Sequence, residues 1–386
     1  MLGIDVPADD VRRVLGALGF AITGPAPGQY RVTPPYWRPD VSIPDDVIED
    51  LGRIYGYDRL PATKLRGELP EPELNPAMDL REQLRDAAVA AAAFEVINYT
   101  LTDLPTLRHV VPEDDQIRSN PLAVMNPVAS QHTYLRTSLR ASLLQSFAAN
   151  QRLHDGALRL FEIGYEYLPA EADLPHERPV LCAVLGGQRE GRWRRHGTEA
   201  LDFFDAKGLA EALLGSPNIR FDVRPAKHYG LLEGHTAEIV CKSDVVGVIA
   251  QFHPGTAAAF DIEVPVFLVE LWVEDLVRHA TERPDYIPPE RYPDVRVDLS
   301  LLVEDSVPAG KVLQLIRSHR ASGVRIEADI FDEYRGPGVP GGHRALAVAL
   351  RYWPSDRTLK DTDVQRIQDG LLKRLEKEYG VRLRGS

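Results

Sequence analysis

The 386-residue chain is 44% hydrophobic and 26% charged, the balance of a folded globular protein, and it is too long for one ordinary core, so two or three domains are expected. A net charge of −12 excludes a surface built throughout to wrap nucleic acid. The charge is uneven: 8 basic against 9 acidic residues over 1–66, 20 against 33 over 67–289 and 17 against 15 over 290–386, which makes the C-terminal end the place for any nucleic-acid contact.

Val11, Val14, Leu15, Leu18 and Phe20 recur near helical spacing behind Pro7 and the acids Asp9 and Asp10, predicting an amphipathic helix over 8–19. Tyr30 to Val32 reads as a strand. A second helix is expected from Pro44, whose fixed φ suits a first turn, with Val47, Ile48, Leu51 and Ile54 facing inward. These elements predict a small mixed α/β domain ending near residue 66. LPEPELNPAM at 69–78 reads as a linker or covering arm. Beyond it the sequence predicts an alanine-rich helix over 79–93, a strand over 96–101 and a long helix over 138–153. Strands are then expected at 157–167, 179–187, 236–241, 245–252 and 264–273. That pattern implies an α+β core around a large antiparallel sheet.

The four prolines of TERPDYIPPERYPD, residues 281–294, mark a last boundary. After it come a strand at 295–303, a helix capped by Ser306 and running to about His319, and strands at 324–334 and 343–353. A helix over Asp361 to Tyr379, closed by Gly380, and a terminal VRLR complete the chain. The order βαββαβ is that of a ferredoxin-like unit, four antiparallel strands backed on one face by two helices.

The densest run of acids is WRPDVSIPDDVIED at 37–50, with Asp40, Asp45, Asp46, Glu49 and Asp50. On a helix from Pro44, Asp46, Glu49 and Asp50 stand at i, i+3 and i+4, a spacing open to two readings: oxygen ligands for a hard cation, or solvated acids favouring the helix dipole. GPGVPG at 336–341 matches G-x-G-x-x-G but lies between two strands and carries two prolines, so it reads as a turn. The histidines, among them His228, His235 and His253, fall in no metal or triad motif and read as structural. Cys182 and Cys241 lack metal spacing and allow at most one disulfide, which fits a reducing cytosol. The N-terminus lacks a signal-peptide pattern and no segment approaches the roughly 20 apolar residues of a membrane span, so a cytoplasmic chain without a membrane role is expected. Arg344, Arg351, Arg357 and Lys360 interleave with Tyr352 and Trp353; on an open sheet face such residues can neutralise phosphates and stack bases, and a solvated sheet edge is the other reading.

Taken together, RPDVSIPDDVIEDLGRIYGYDRLP (38–61), YLRTSLRASLLQSFAANQRL (134–153), RLFEIGYEY (159–167), DFFDAKG (202–208), YPDVRVDLSLLVEDSVPAG (292–310) and SDRTLKD (355–361) resemble, in this order, the C-terminal half of bacterial phenylalanyl-tRNA synthetase β subunits. The resemblance implies three units: a small Mg-site domain over 1–66, a non-catalytic core like that of class II aminoacyl-tRNA synthetases over 67–280, and a ferredoxin-fold anticodon-binding domain over 290–384. It further implies Mg²⁺ held by Asp40, Asp46, Glu49 and Asp50 at a site shared with the catalytic α subunit, Asp45 falling outside the pattern. It implies an α₂β₂-type assembly that charges tRNA(Phe) with phenylalanine at the expense of ATP, and tRNA contact through Arg344, Arg351, Tyr352, Arg357 and Lys360.

Catalysis is expected from α: VVGVIAQFHPG (245–255) has glycines but no arginine to hold an ATP phosphate, and Arg136 and Glu162 are assigned to folding or the subunit interface. The N-terminal RNA-binding and editing regions of whole β subunits are not matched, so no editing is expected of this chain alone. Rival readings are a free-standing tRNA-binding or regulatory paralogue and, last, a metal-dependent hydrolase, for which no base beside the metal is found.

Overall fold

A computed structural model covers the chain and describes all residues except 27, 65, 66, 68–72, 74, 154, 155, 172, 173, 190–198, 281–285, 287, 290, 385 and 386. The expected linkers at 69–78 and 281–294 lie partly outside the described residues. The chain divides into two compact units, 1–75 and 76–386.

In the first unit, α1 (Ala8–Ala17) leads into an antiparallel hairpin, β1 (Ala21–Ala26) and β2 (Gln29–Thr33), and then α2 (Pro44–Tyr55) with Pro44 in its first turn. Val11, Val14, Leu15, Phe20, Val41 and Leu51 form its core. Ile54 departs from expectation and is exposed, and the buried face of α2 turns instead through Asp50, Leu51 and Gly52. A Cβ at Gly52 would stand 2.8 Å from Leu2 Cδ2, so the tip of that side chain would have to shift.

The second unit begins with α3 (Pro76–Ala90), β3 (Phe94–Glu95), β4 (Leu101–Thr102), α4 (Leu104–Arg108), β5 (Tyr134–Leu135) and α5 (Arg140–Gln151). The strand expected over 96–101 is not formed; short strands flank that segment, and Val96 donates to the Phe161 carbonyl just beyond β3. Then come β6 (Leu158–Leu168), β7 (His176–Gly186), α6 (Phe203–Gly215), β8 (Asp222–Pro225), β9 (Leu231–Cys241), β10 (Asp244–Phe252), α7 (Pro254–Ala258), β11 (Val266–Trp272) and α8 (Val273–Val277). The seven-stranded sheet has the order β3-β6-β7-β11-β10-β9-β8 and is antiparallel except for the β3–β6 pair.

Both faces of this sheet are covered, so its central strands are apolar on both sides rather than alternating. One face packs Phe161, Leu181, Ile249 and Val269 against α3 and α6; the other packs Leu160, Val184 and Leu268 against Leu143, Leu144 and Phe147 of α5. The sequence reading missed α6, whose start is a full capping box. Asp202 accepts from the Phe204 and Asp205 amides, and Asp205 accepts from the Asp202 amide.

The C-terminal part is β12 (Val295–Glu304), α9 (Ala309–Arg317), β13 (Val324–Tyr334), β14 (His343–Pro354), α10 (Asp361–Tyr379) and β15 (Arg382–Leu383), with sheet order β13-β14-β12-β15 and every pairing antiparallel. The βαββαβ reading holds. Ser306 does not cap α9: its hydroxyl donates to Glu304, and the helix begins after Pro308. Gly380 closes α10 in the left-handed region at φ 67°. GPGVPG forms the connection between β13 and β14, as read. Among the described residues no helix is long and apolar enough to cross a membrane, and Cys182 and Cys241 are buried free thiols.

Candidate functional site

In the first unit, the chain leaving β2 turns so that Arg38 points back across α1 and α2. Its guanidinium lies 5.9 Å from the Phe20 ring centroid and grips Asp40 through Nε (3.0 Å) and Nη2 (2.7 Å). Its Nη1 lies 2.8 Å from Asp50 Oδ2. Asp50 is buried, and its Oδ1 accepts from Arg53 Nη2 at 2.6 Å. Asp46 reaches back over the helix start, its Oδ2 accepting the amides of Ser42 (2.7 Å) and Ile43 (2.9 Å). Glu49 is exposed, since about 100° of helix rotation separates it from Asp50.

The carboxyls of Asp40, Asp46 and Asp50 are therefore held below the ordinary aspartate value, by Arg38, by the Ile43 and Ser42 amides, and by Arg53 with Arg38 respectively. Arg38 is raised in turn, chiefly by Asp40 and then Asp50. Asp45 stands in the first turn of α2, exposed. The four acids of the Mg²⁺ expectation do not make a cation cage. The Asp40 and Asp50 oxygens meet an arginine instead, and among the described residues no three His, Cys, Asp or Glu side chains are gathered as a metal would need.

The central sheet carries a buried charged row. Glu162 on β6, Cys182 on β7 and Glu270 on β11 are direct cross-strand partners and share one face. Arg136, entering from the turn before α5, donates from Nη2 to Glu162 at 2.7 Å and from Nε to the Tyr165 carbonyl at 3.1 Å. Asn98 adds a 2.7 Å hydrogen bond to Glu162. Arg140, the first residue of α5, grips Glu270 with Nε and Nη2. Two residues further along each strand, Gly164 leaves room for Arg136: a Cβ there would stand 2.3 Å from Nη2.

Glu166 receives Arg178 at 2.5 Å, yet burial outweighs that arginine and raises its carboxyl above the ordinary glutamate value. For Glu270 the balance is reversed: burial opposes its charge, but Arg140 keeps it below that value. Burial first, and Glu270 second, push the Cys182 thiol well above its ordinary value, so it is not a nucleophile. Arg118, Arg136, Arg140 and Arg178 are each paired with a carboxylate on this face. A cavity of 280 Å³ opens beside the row between α5 and Asn98–Thr102. Tyr99 and His132 line it with ring centroids 4.9 Å apart, and near them along the chain Ile97, Met125 and Val128 are exposed apolar side chains.

In the C-terminal sheet the strand phase decides which residues face outward. Leu346, Val348 and Leu350 point at the helices, and the same phase buries Tyr352 completely against Val364, Ile367 and Leu371, so it cannot stack on a base. Arg344 is also turned inward, its Nη2 donating to the Val307 carbonyl at 2.7 Å. Arg351 and Trp353 fall on the other face. Arg351 is opposite Arg296 and Glu327, while Trp353 donates to Glu327 at 2.7 Å under the guanidinium of Arg325. Arg296 and Arg325 were missed in the sequence, although each alternates with an inward residue, Val295 and Ile326, and so falls on the outward face.

Arg357 and Lys360 are exposed at the start of α10, where Asp363 accepts from Arg357 Nη1 (2.7 Å) and from the Lys360 amide (3.1 Å). Arg357 first and that amide second lower the Asp363 carboxyl to about 2. A depressed acid stabilises the fold above its unfolded value and stops doing so as pH falls through its folded one. Acid titration is therefore expected to loosen α10 between roughly pH 4 and 2. Asp363→Asn should remove that step from the pH dependence of α10 amide exchange; an unchanged step would assign it to another group.

The comparisons with known proteins place this architecture among the tRNA synthetases. Residues 1–57 match the tRNA synthetase B5 domain, 60–273 the phenylalanyl tRNA synthetase beta chain CLM domain and 290–384 the ferredoxin-fold anticodon binding domain. The chain belongs to the phenylalanyl-tRNA synthetase beta chain family. Phenylalanine–tRNA ligase beta subunits from Dehalococcoides mccartyi and Geobacillus kaustophilus are 33% and 32% identical over the whole chain, which spans 48% and 47% of their lengths. The chain thus covers about half the length of the curated relatives it matches. A pyrrolysyl-tRNA synthetase structure from Desulfitobacterium hafniense aligns with 53% of this chain and 73% of its own, at 19% identity and a TM-score of 0.40.

Proposed function

We propose that this chain is the β component of a cytoplasmic phenylalanine–tRNA ligase, an α₂β₂-type assembly in which the α subunit uses ATP to charge tRNA(Phe) and this chain is non-catalytic. In that reading 1–66 is a small accessory domain, 67–280 a core of class II synthetase type that packs on α, and 290–384 the part that meets the anticodon end of the tRNA. The observation that carries it is the closed charged face of the central sheet. Arg136, Arg140 and Arg178 are paired with Glu162, Glu270 and Glu166, which leaves none of these three to hold a phosphoryl group. Ile97, Tyr99, Met125 and Val128, all exposed, supply apolar surface for a partner.

For the tRNA, the reading keeps Arg351, Arg357 and Lys360, adds Trp353 and Arg325 as a stacking platform, and drops Tyr352 and Arg344 because both are turned inward. Magnesium enters as an ion of the assembled ligase and is not assigned to Asp40, Asp46, Glu49 and Asp50. Co-purification tests the assignment. Tagged chain expressed with the α subunit should elute with it as one complex; tRNA bound with no α partner would favour the free-standing tRNA-binding paralogue.

A further inference from the structure

We infer that Arg38 is the resident cation of the acidic cluster in the first unit, bridging Asp40 and Asp50 as a clamp, so that Asp40, Asp46, Glu49 and Asp50 are not a divalent-metal site in this chain. The inference stands on contacts within residues 1–75 and does not rest on the ligase reading.

A single guanidinium has the reach and the planar fork to serve two carboxylates at once. Arg38 uses Nε and Nη2 for Asp40 and places Nη1 2.8 Å from Asp50 Oδ2. The other Asp50 oxygen is taken by Arg53. A divalent ion bridging Asp40 and Asp50 would have to stand where the guanidinium now lies, and it would have to expel a positive charge that is also packed over Phe20. Asp46 is committed too, because its Oδ2 closes the amides of Ser42 and Ile43 at the start of α2. That leaves the exposed Glu49 and the second oxygen of Asp46 as the carboxylate oxygens not already engaged.

The clamp has a structural task. Arg38 follows a tight turn, its amide bonded to the Pro35 carbonyl, and the turn after it is closed by Val41 donating to the Arg38 carbonyl. Trp37 packs where Gly19, at φ +84°, has no Cβ; one would lie 3.1 Å from the indole. The guanidinium thus ties three pieces together: the end of α1 through Phe20, the connecting loop through Asp40, and α2 through Asp50. Removing it would leave a buried Asp50 carboxylate with only Arg53, which is half exposed.

The test uses the full chain. After dialysis against Mg²⁺ and desalting, elemental analysis should find well under one ion per chain. Mn²⁺ titrated by electron paramagnetic resonance should bind equally weakly to the wild type and to Glu49→Gln, a surface change that leaves the fold intact. Amide exchange within 44–55 should accelerate at least about 100-fold in Arg38→Ala, and Arg38→Lys should restore only part of the protection, since one ammonium cannot serve both acids. The inference is overturned by one retained ion per chain that is lost in Glu49→Gln or Asp46→Asn, or by unchanged exchange in Arg38→Ala.

Discussion

Glu270→Ala is expected to destabilise the second unit by about 3–5 kcal/mol, as measured by chemical denaturation. Glu270 is 2% exposed in the middle of the sheet, and it is the one carboxylate hydrogen-bonded to Arg140, whose side chain is 12% exposed. Taking away the acid leaves a guanidinium in a nearly dry site, where burial already works against its charge and Glu270 is what keeps it raised. The damage spreads because Arg140 opens α5, the helix that brings Leu143, Leu144 and Phe147 onto the sheet. The physical cause is the orphaned charge rather than the lost attraction, so the double variant Arg140→Met with Glu270→Leu should recover most of the loss. A single variant costing under 1 kcal/mol, or a double variant as unstable as the single, would show that the pair is not buried as described.

Gly187→Ala is the second large effect, expected to cost roughly 3 kcal/mol. Gly187 follows β7 directly at φ +96°, a region that residues with a Cβ avoid, and the added carbon would stand 2.2 Å from the Gly156 carbonyl oxygen. That neighbour is backbone at the entry to β6, so no rotamer can move it aside. The control is Gly208→Ala. It lies inside α6 with nothing within 4 Å of its missing Cβ and should leave stability unchanged or raise it by about 0.5–1 kcal/mol. Denaturation midpoints of the two variants should move apart; midpoints that move together would contradict the close approach at Gly187.

The contrast between these glycines shows where sequence reasoning reaches. The five longer strands of the central sheet, β6, β7, β9, β10 and β11, and all six elements of the ferredoxin-like part were legible because their apolar runs are long and bounded by Gly, Pro and Asp, whereas β8, four exposed residues, was not expected. Short elements were not: β3 and β4 have two residues each and exist only because Phe94 and Leu101 find partners in β6 and β5, far along the chain. The start of α6 was legible and overlooked, since Asp202 and Asp205 are a capping pair written in the sequence. Tyr352 was misplaced although its strand supplied the correction: counting by twos from Leu346 through Leu350 lands on it. The acidic run shows the harder limit. Spacing gives Asp46, Glu49 and Asp50 their places on α2, but not the fold of Arg38 back between Asp40 and Asp50, which needs the whole turn after β2.

The ligase reading has its most direct test in phenylalanine charging. This chain is expected to attach no phenylalanine to tRNA(Phe) by itself and to support charging once the α subunit and ATP with Mg²⁺ are added, at a rate that saturates with equimolar chain. Charging by the chain alone would contradict a buried row in which Arg136, Arg140 and Arg178 are paired with carboxylates, and α that neither binds the chain nor gains activity from it would contradict the β assignment.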